Sequence, residues 1–446
     1  MLDSEATEIC NKKLSLEREC GCLTHTHTAL GNIVIEIKYS NFNFTSAAYK
    51  SIKSAAKIAS TQIIKSIQSK SPLYKILSVK HAINQTKFCA PYAREINKNF
   101  SDLIVIGMGG SVLNPETVTS LLASNNSSTQ LHFLNNTDPF FLQNLLSGIS
   151  LENCAILAIS NSGQTLETIA LAGVMISEFE NAAIADIGKH FYFITNLQSS
   201  ILKNVADKIG ATLIEHAEKI SGRYSGLTNV TTLVAQIAGI DVREYLTGTQ
   251  LILNDFLEYQ EESQAALSAT ALYSTGKPIT VNIGYLQRFD VFLEWYSQII
   301  AESLGKDNKG ITPIKGLGPN DQHSMLQLYL DGPKDKVFSL FYTNDDSAVY
   351  KSCNLKELNH IAGKNLQNIN RANFEATLHA LIETGAPTRS IILQELSAKN
   401  TGSLVMHSML ETIILGHIMQ LNPFNQPGVD FIKKESMRIV QTNSTH

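Results

Sequence analysis

From Leu103 onward, short apolar runs alternate with longer helical stretches, and this alternation restricts the fold more than any other feature. The runs Leu103–Ile106, Leu131–Leu134, Ala155–Ile159, Phe191–Thr195 and Thr212–Ile214 read as short buried strands. Helical stretches follow from Pro115, Pro139, Leu166 and Ser199. Asn114-Pro115 and Asp138-Pro139 each read as a polar cap with proline in the first helical turn. Strands separated by helices of this length need right-handed crossovers, and so a parallel sheet covered on both faces.

The second half repeats the theme less regularly. Ile279–Ile283, Val337–Tyr342 and Ser390–Gln394 read as strands, with helices at Phe289–Leu304, Lys356–Ile361, Asn373–Glu383 and Ser403–Leu421. The break between the two α/β units falls near Ile237–Gln250. Upstream, Ala47 to Ser69 has alanine, isoleucine and lysine at helical spacing and reads as an amphipathic helix. Residues 1 to about 40 carry no pattern that places them.

A chain of 446 residues is long enough for two or three such units and a large core. Its 36 basic and 40 acidic residues give a net charge of −4, which provides no field for a polyanion and excludes a broad nucleic-acid-binding surface. Any phosphate must then be gripped by locally placed donors. Six cysteines are too sparse for a disulfide scaffold. Cys20-Gly-Cys22 followed by His25 and His27 does not have zinc-site spacing, so no metal is expected, and no cofactor. The N-terminus, with Asp3, Glu5 and Glu8, lacks a signal-peptide layout. The apolar run Gly402–Leu421 includes His407, Glu411, His417 and Gln420, which makes it a core helix and not a membrane span. A cytoplasmic location is the resulting expectation.

Several segments are suited to chemistry. Ser160-Asn-Ser-Gly-Gln-Thr-Leu-Glu-Thr168 places a hydroxyl-rich turn between a strand and a helix. There, backbone N–H groups of the first helical turn and the hydroxyls of Ser160, Ser162 and Thr165 can hold a phosphate; the same turn also suits an ordinary helix cap. Gly107-Met-Gly-Gly-Ser111 ends the first strand. It lacks the third glycine of a dinucleotide fingerprint, and Asn135-Asn136 stand where an acidic residue is needed, so a nicotinamide cofactor is rejected. Ligands bind outside the carboxyl ends of strands in open α/β sheets, which puts Gly109–Ser111 and Ser160–Thr165 on one rim. Glu302 shares a helix face with Val291, Trp295 and Ile299. Desolvation at the end of that stripe suits a general base, while a surface pair with Lys306 one turn on is the alternative. Arg223, between small residues in Ser221-Gly-Arg-Tyr-Ser225, is placed to meet an oxyanion or to lie on the surface. His323, in Asp321-Gln-His-Ser324, is a proton carrier or a solvated turn residue. After Asn422-Pro-Phe-Asn-Gln-Pro-Gly428 a terminal helix restarts, and periodicity does not choose between Lys433 and Lys434.

Taken together, these six segments resemble the glucose-6-phosphate isomerase family, in its short bacterial-type form, from about Ile104 to Lys433. The resemblance implies two sugar-isomerase (SIS)-type three-layer αβα domains with mainly parallel sheets, plus an N-terminal helical segment and a C-terminal helix. The corresponding divisions are an N-terminal segment at 1–75 packing on the second domain, a first domain at 76–236 and a second at 237–446. It also implies a homodimer and substrates glucose 6-phosphate and fructose 6-phosphate. By position in the family's motifs, Ser160, Ser162 and Thr165 hold the sugar phosphate, and Gly110 and Ser111 close on the sugar. Glu302 moves the proton between C2 and C1, and Arg223 stabilises the enediolate. His323, from the partner subunit, and Lys433 assist ring opening, with Gln426 seven residues before the lysine. Asn161 replaces a common lysine, removing a charge-assisted phosphate contact worth roughly 1–3 kcal/mol; Asn425 replaces a common aspartate. The other readings of these segments are a related isomerase acting on amino-sugar phosphates and a non-catalytic sugar-phosphate sensor.

Overall fold

The computed structural model describes residues 23–25, 35–122, 127–198, 200–217 and 220–443. Cys20, Cys22, His27 and Ser199 lie outside them. Among the described residues eleven strands form two sheets. β3 (Asp102–Gly107), β4 (Gln130–Leu134), β5 (Cys154–Ser160), β6 (Phe191–Thr195) and β7 (Thr212–Glu215) form a five-stranded parallel sheet in the order β4-β3-β5-β6-β7. These are the five runs expected, each within a residue of its expected limits. Alternate residues face opposite layers. Leu103 and Val105 pack with the helices Val79–Asn99 and Asn229–Ile237, while Ile104 and Ile106 pack with Leu166–Asn181 and Ile201–Ile209.

The second sheet joins β1 (Leu23–His25), β2 (Ile35–Ser40), β8 (Ile279–Gly284), β9 (Thr312–Leu317), β10 (Lys336–Thr343) and β11 (Thr388–Leu393) in the order β1-β2-β11-β10-β8-β9. β8 to β11 run parallel, and β2 is antiparallel to β11. β2 buries Ile35, Ile37 and Tyr39 and leaves Glu36 and Lys38 half-exposed, a period of two confined to six residues. β9, with Pro313 and Gly316, occupies the sheet edge, where a missing N–H is tolerated. Both strands go beyond the sequence reading.

Three expected helices are corrected. The helix after β3 starts at Gly110, not Pro115. Gly109 at φ +53° turns the chain directly out of the strand. Asn114 is therefore no cap; buried in the second turn, it donates to Gly110 O at 2.6 Å and to Gly222 O at 2.8 Å. Of Lys356–Ile361, only a 3-10 turn at Lys356–Leu358 forms, with Leu355 largely exposed and no apolar face to bury. The helix expected from Asn373 begins at Leu366. Its first turns are polar because Gln367 donates to Tyr342 Oη at 3.1 Å and Asn370 donates to Tyr285 O.

One core connects the two sheets. The helix Gly110–Leu122 presents Val112 to the first sheet, and Leu113, Val118 and Leu121 to a cluster that includes Phe292, Trp295 and Ile299 of the helix Asp290–Leu304. Within that core Arg389 and Glu411 form a fully buried pair, Nη1 to Oε2 at 2.8 Å and Nη2 to Oε1 at 3.0 Å, capped by Tyr296 Oη donating to Glu411 at 2.7 Å. Burial pushes the Glu411 carboxyl up, but Arg389 and His407 together outweigh it and hold the group well below the usual carboxylate range. Among the described residues no helix is long and apolar enough to cross a membrane.

Candidate active site

In the first sheet β3 and β5 are neighbours whose following helices leave on opposite faces, the arrangement that opens a crevice at the carboxyl ends of strands. The Gly107–Ser111 turn and the Ser160–Thr165 turn border it, as expected. Ser160 Oγ and Thr165 Oγ1 share a hydrogen bond at 2.9 Å. Ser162 Oγ accepts from Gln164 N at 3.2 Å. Gly163, at φ +61°, lies so close to Ser200 that a Cβ there would meet its Oγ at 2.3 Å, so only glycine fits. Thr165 precedes the helix Leu166–Asn181 without a side-chain cap bond, and the first-turn N–H groups point toward the rim. Asn161 Nδ2 donates to Ile220 O at 2.8 Å, tying the turn to the segment before Arg223.

That segment closes against the glycine turn. A Cβ at Gly110 would meet the carbonyl carbon of Gly222 at 2.2 Å, so Gly110 admits the neighbouring backbone. Arg223 then enters the 3-10 turn Gly222–Leu227 with its side chain fully enclosed. Nε donates to Ser303 Oγ at 2.9 Å, and Nη2 to Pro423 O at 2.8 Å and Asn425 O at 3.1 Å. Nη1 faces Ser221 Oγ at 2.8 Å, Glu302 Oε2 at 2.8 Å and Gln426 Oε1 at 2.9 Å. Five N–H groups thus meet six acceptors, three of them competing for the two hydrogens of Nη1. Trp295 Nε1 fixes the backbone by donating to Arg223 O at 3.0 Å.

Glu302 lies in the last turn of Asp290–Leu304, with 31% of its side chain exposed in front of the enclosed guanidinium. Its carboxylate is held by two donors, and the alternative pair with Lys306 does not form. Arg223 holds one carboxylate oxygen, and Gln298 Nε2, one turn earlier, donates to the other at 2.7 Å. Lys306 instead donates to Asn422 O. Arg223, Glu302 and Gln426, far apart in sequence, therefore meet within hydrogen-bond distance at the junction of the two α/β units.

The model of the phosphoglucose isomerase family matches residues 85–446. The chain belongs to this family. It is 31% identical over 347 residues to a probable glucose-6-phosphate isomerase of Haloarcula marismortui, covering 77% of this chain and 79% of the relative. Among solved structures, a hypothetical protein from Thermus thermophilus superposes with a TM-score of 0.81 at 26% identity, covering 88% of this chain and 96% of that one. A glucose-6-phosphate isomerase from Chlamydia trachomatis superposes with a TM-score of 0.79 at 21% identity, covering 93% and 90%, which establishes a shared fold. The two mainly parallel sheets with their helical layers are the α/β architecture expected, shared with these solved structures.

Two residues assigned by likeness to the phosphoglucose isomerase family stand apart from the cluster. His323 is exposed in the turn after Asn320–Gln322, and its ring makes no hydrogen bond or ion pair with Arg223 or Glu302. Its neighbours pin the turn: Asp321 Oδ2 accepts from Leu317 N at 2.7 Å, and Gln322 donates to Thr377 Oγ1 at 2.7 Å. Lys433 and Lys434 are both exposed on the helix Asp430–Asn443, which touches the helix Leu166–Asn181. Sequence reasoning missed Gln298, Ser221 and Ser303. Gln298 was discoverable as the residue four before Glu302 on the same helix face.

Proposed function

We propose that this chain interconverts glucose 6-phosphate and fructose 6-phosphate by proton transfer through a cis-enediol(ate), serving glycolysis and gluconeogenesis in the cytoplasm. The observation that carries this reading is the Arg223–Glu302 pair, an accessible carboxylate backed by an enclosed cation at the mouth of a phosphate-type rim. Each carboxylate oxygen keeps a lone pair beyond the one its donor occupies, so Glu302 can accept the proton from C2 and return it to C1. Arg223 stabilises the enediolate by its fixed charge, already desolvated and held at both ends.

The sugar phosphate is held by Ser160, Ser162, Thr165 and the N-terminus of Leu166–Asn181, with Asn161 shaping the turn. Anchoring that distant group orients the reacting carbons. Gly110 and Ser111 border the sugar, and Gln426 is set beside the reacting oxygens by Arg223. Lys433, with His323 of a second copy, assists ring opening in a homodimer of the short bacterial-type form. The N-terminal segment to residue 75 packs on the second unit, which begins at residue 237.

A coupled assay for glucose 6-phosphate formed from fructose 6-phosphate tests the reading. Glu302→Gln should lower turnover by at least roughly 100- to 1,000-fold, the scale of a missing general base. Ligand-induced stabilisation without turnover in the parent chain would instead identify a sugar-phosphate sensor.

A further inference from the structure

The turn after the Glu302 helix grips the segment that carries Gln426. Lys306-Asp-Asn-Lys309 closes on itself through Lys306 N to Lys309 O at 3.1 Å and Lys309 N to Lys306 O at 2.8 Å. Asp307 and Asn308 both take positive φ, 52° and 57°, the signature of a type I′ turn. The turn directs both ammonium groups at one stretch of backbone. Lys309 Nζ donates to Met419 O at 3.0 Å, and Lys306 Nζ donates to Asn422 O.

That backbone needs such donors. The helix Ala398–Ile418 ends with Gln420 at φ +59° and Leu421 N bonded to Gly416 O at 2.8 Å, after which the chain doubles back with Pro423 against Gly416. The carbonyls beyond this turn have no helical partner, and cations suit the negative end of a helix. Lys309 takes the carbonyl of Met419 just before the turn, and Lys306 and Arg223 take those of Asn422, Pro423 and Asn425 beyond it. Gln426 follows immediately, bonded to Arg223.

We infer that the Lys306–Lys309 turn is a positioning clamp, with Lys306 its principal residue, fixing residues 419–426 so that Gln426 and the following helix with Lys433 are correctly placed for catalysis. The part concerning catalysis rests on the proposed isomerase activity; the clamp itself does not. The charged groups facing Lys306 are Arg223 and Glu302 across the site and Asp307 on its own turn, while residues 419–426 bring no ionisable side chain. Burial, reinforced by Arg223, lowers the Lys306 ammonium to about 8. Above that pH the neutral amine is a weaker donor to Asn422 O, because the charge-assisted bond is lost.

The test uses the full chain with Lys306→Met, Lys306→Arg and the Lys306→Met/Lys309→Met double variant. Hydrogen–deuterium exchange is read on peptides covering residues 419–429, and steady-state kinetics are measured with fructose 6-phosphate from pH 6 to 10. Exchange in that segment should rise about tenfold or more in the double variant while the sheet cores stay protected. Turnover should fall about tenfold or more in Lys306→Met with KM nearly unchanged, the scale of a misplaced catalytic group. The parent should lose turnover as pH rises through about 8, and Lys306→Arg should restore turnover and move that limb to higher pH. Unaltered exchange at 419–429 in the double variant, or in Lys306→Met if the double variant does not fold, overturns the clamp. Faster exchange with unchanged turnover and pH profile overturns its catalytic use. A parent without turnover would remove the isomerase reading, and the exchange measurement would still decide the clamp.

Discussion

Gln298 Nε2 donates to Glu302 Oε1 at 2.7 Å from one turn earlier on the same helix, while Gln298 Oε1 is buried without a hydrogen-bond partner among the described residues. The same amide lies against Gly109, where a Cβ would meet Nε2 at 2.7 Å. The glycine turn of the first unit therefore presses on the residue that orients the carboxylate of the second.

Gln298→Leu keeps the side-chain volume and removes the donor. Turnover should fall by about 10- to 100-fold, the effect of freeing a reacting group by an ångström or so, with little change in stability. Steady-state kinetics beside a thermal melt check this. Normal turnover in a folded variant would show that Arg223 alone orients Glu302.

Asn161 donates to Ile220 O and brings no charge to the phosphate-type turn. Asn161→Lys should lower KM for fructose 6-phosphate by roughly tenfold with turnover nearly unchanged, because a charge-assisted contact contributes equally to ground and transition states. A higher KM would show that the bond to Ile220 matters more than charge.

Glu116, in the helix Gly110–Leu122, is raised to about 7, first by burial and then by the neighbouring Glu294 and Asp290. A carboxyl with a raised folded-state pKa binds its proton more tightly when folded, so stability falls as pH rises from about 4.5 to about 7. Glu116→Gln removes this dependence. Its melting temperature should match the parent at pH 4.5 and exceed it above pH 7 by on the order of 1–2 °C. Melts at the two pH values check the sign, and equal melting temperatures above pH 7 would contradict it.

The sequence makes strands legible where both faces are buried, because continuous apolar runs such as Ala155–Ile159 have no other use in a chain of this composition. It hides β9, an edge strand interrupted by proline and glycine, and β2, whose alternation lasts only six residues. Asn114-Pro115 misleads for a different reason: the cap rule is local, and the true helix start is set by Gly109 and by the close approach of Gly222 from another part of the chain. The site divides in the same way. Glu302 and the Ser160–Thr165 turn carry local signals, whereas the pairing of Arg223 with Glu302, and of Lys306 with Asn422, exists only once distant segments have packed.

The proposed role of Glu302 as the proton carrier is tested most directly by running the conversion in deuterium oxide and following label at C2 of the hexose phosphate. The parent chain should incorporate deuterium there as it turns over, and Glu302→Gln should lose both incorporation and turnover by at least roughly 100-fold. Undiminished C2 labelling in a folded Glu302→Gln chain would contradict the account.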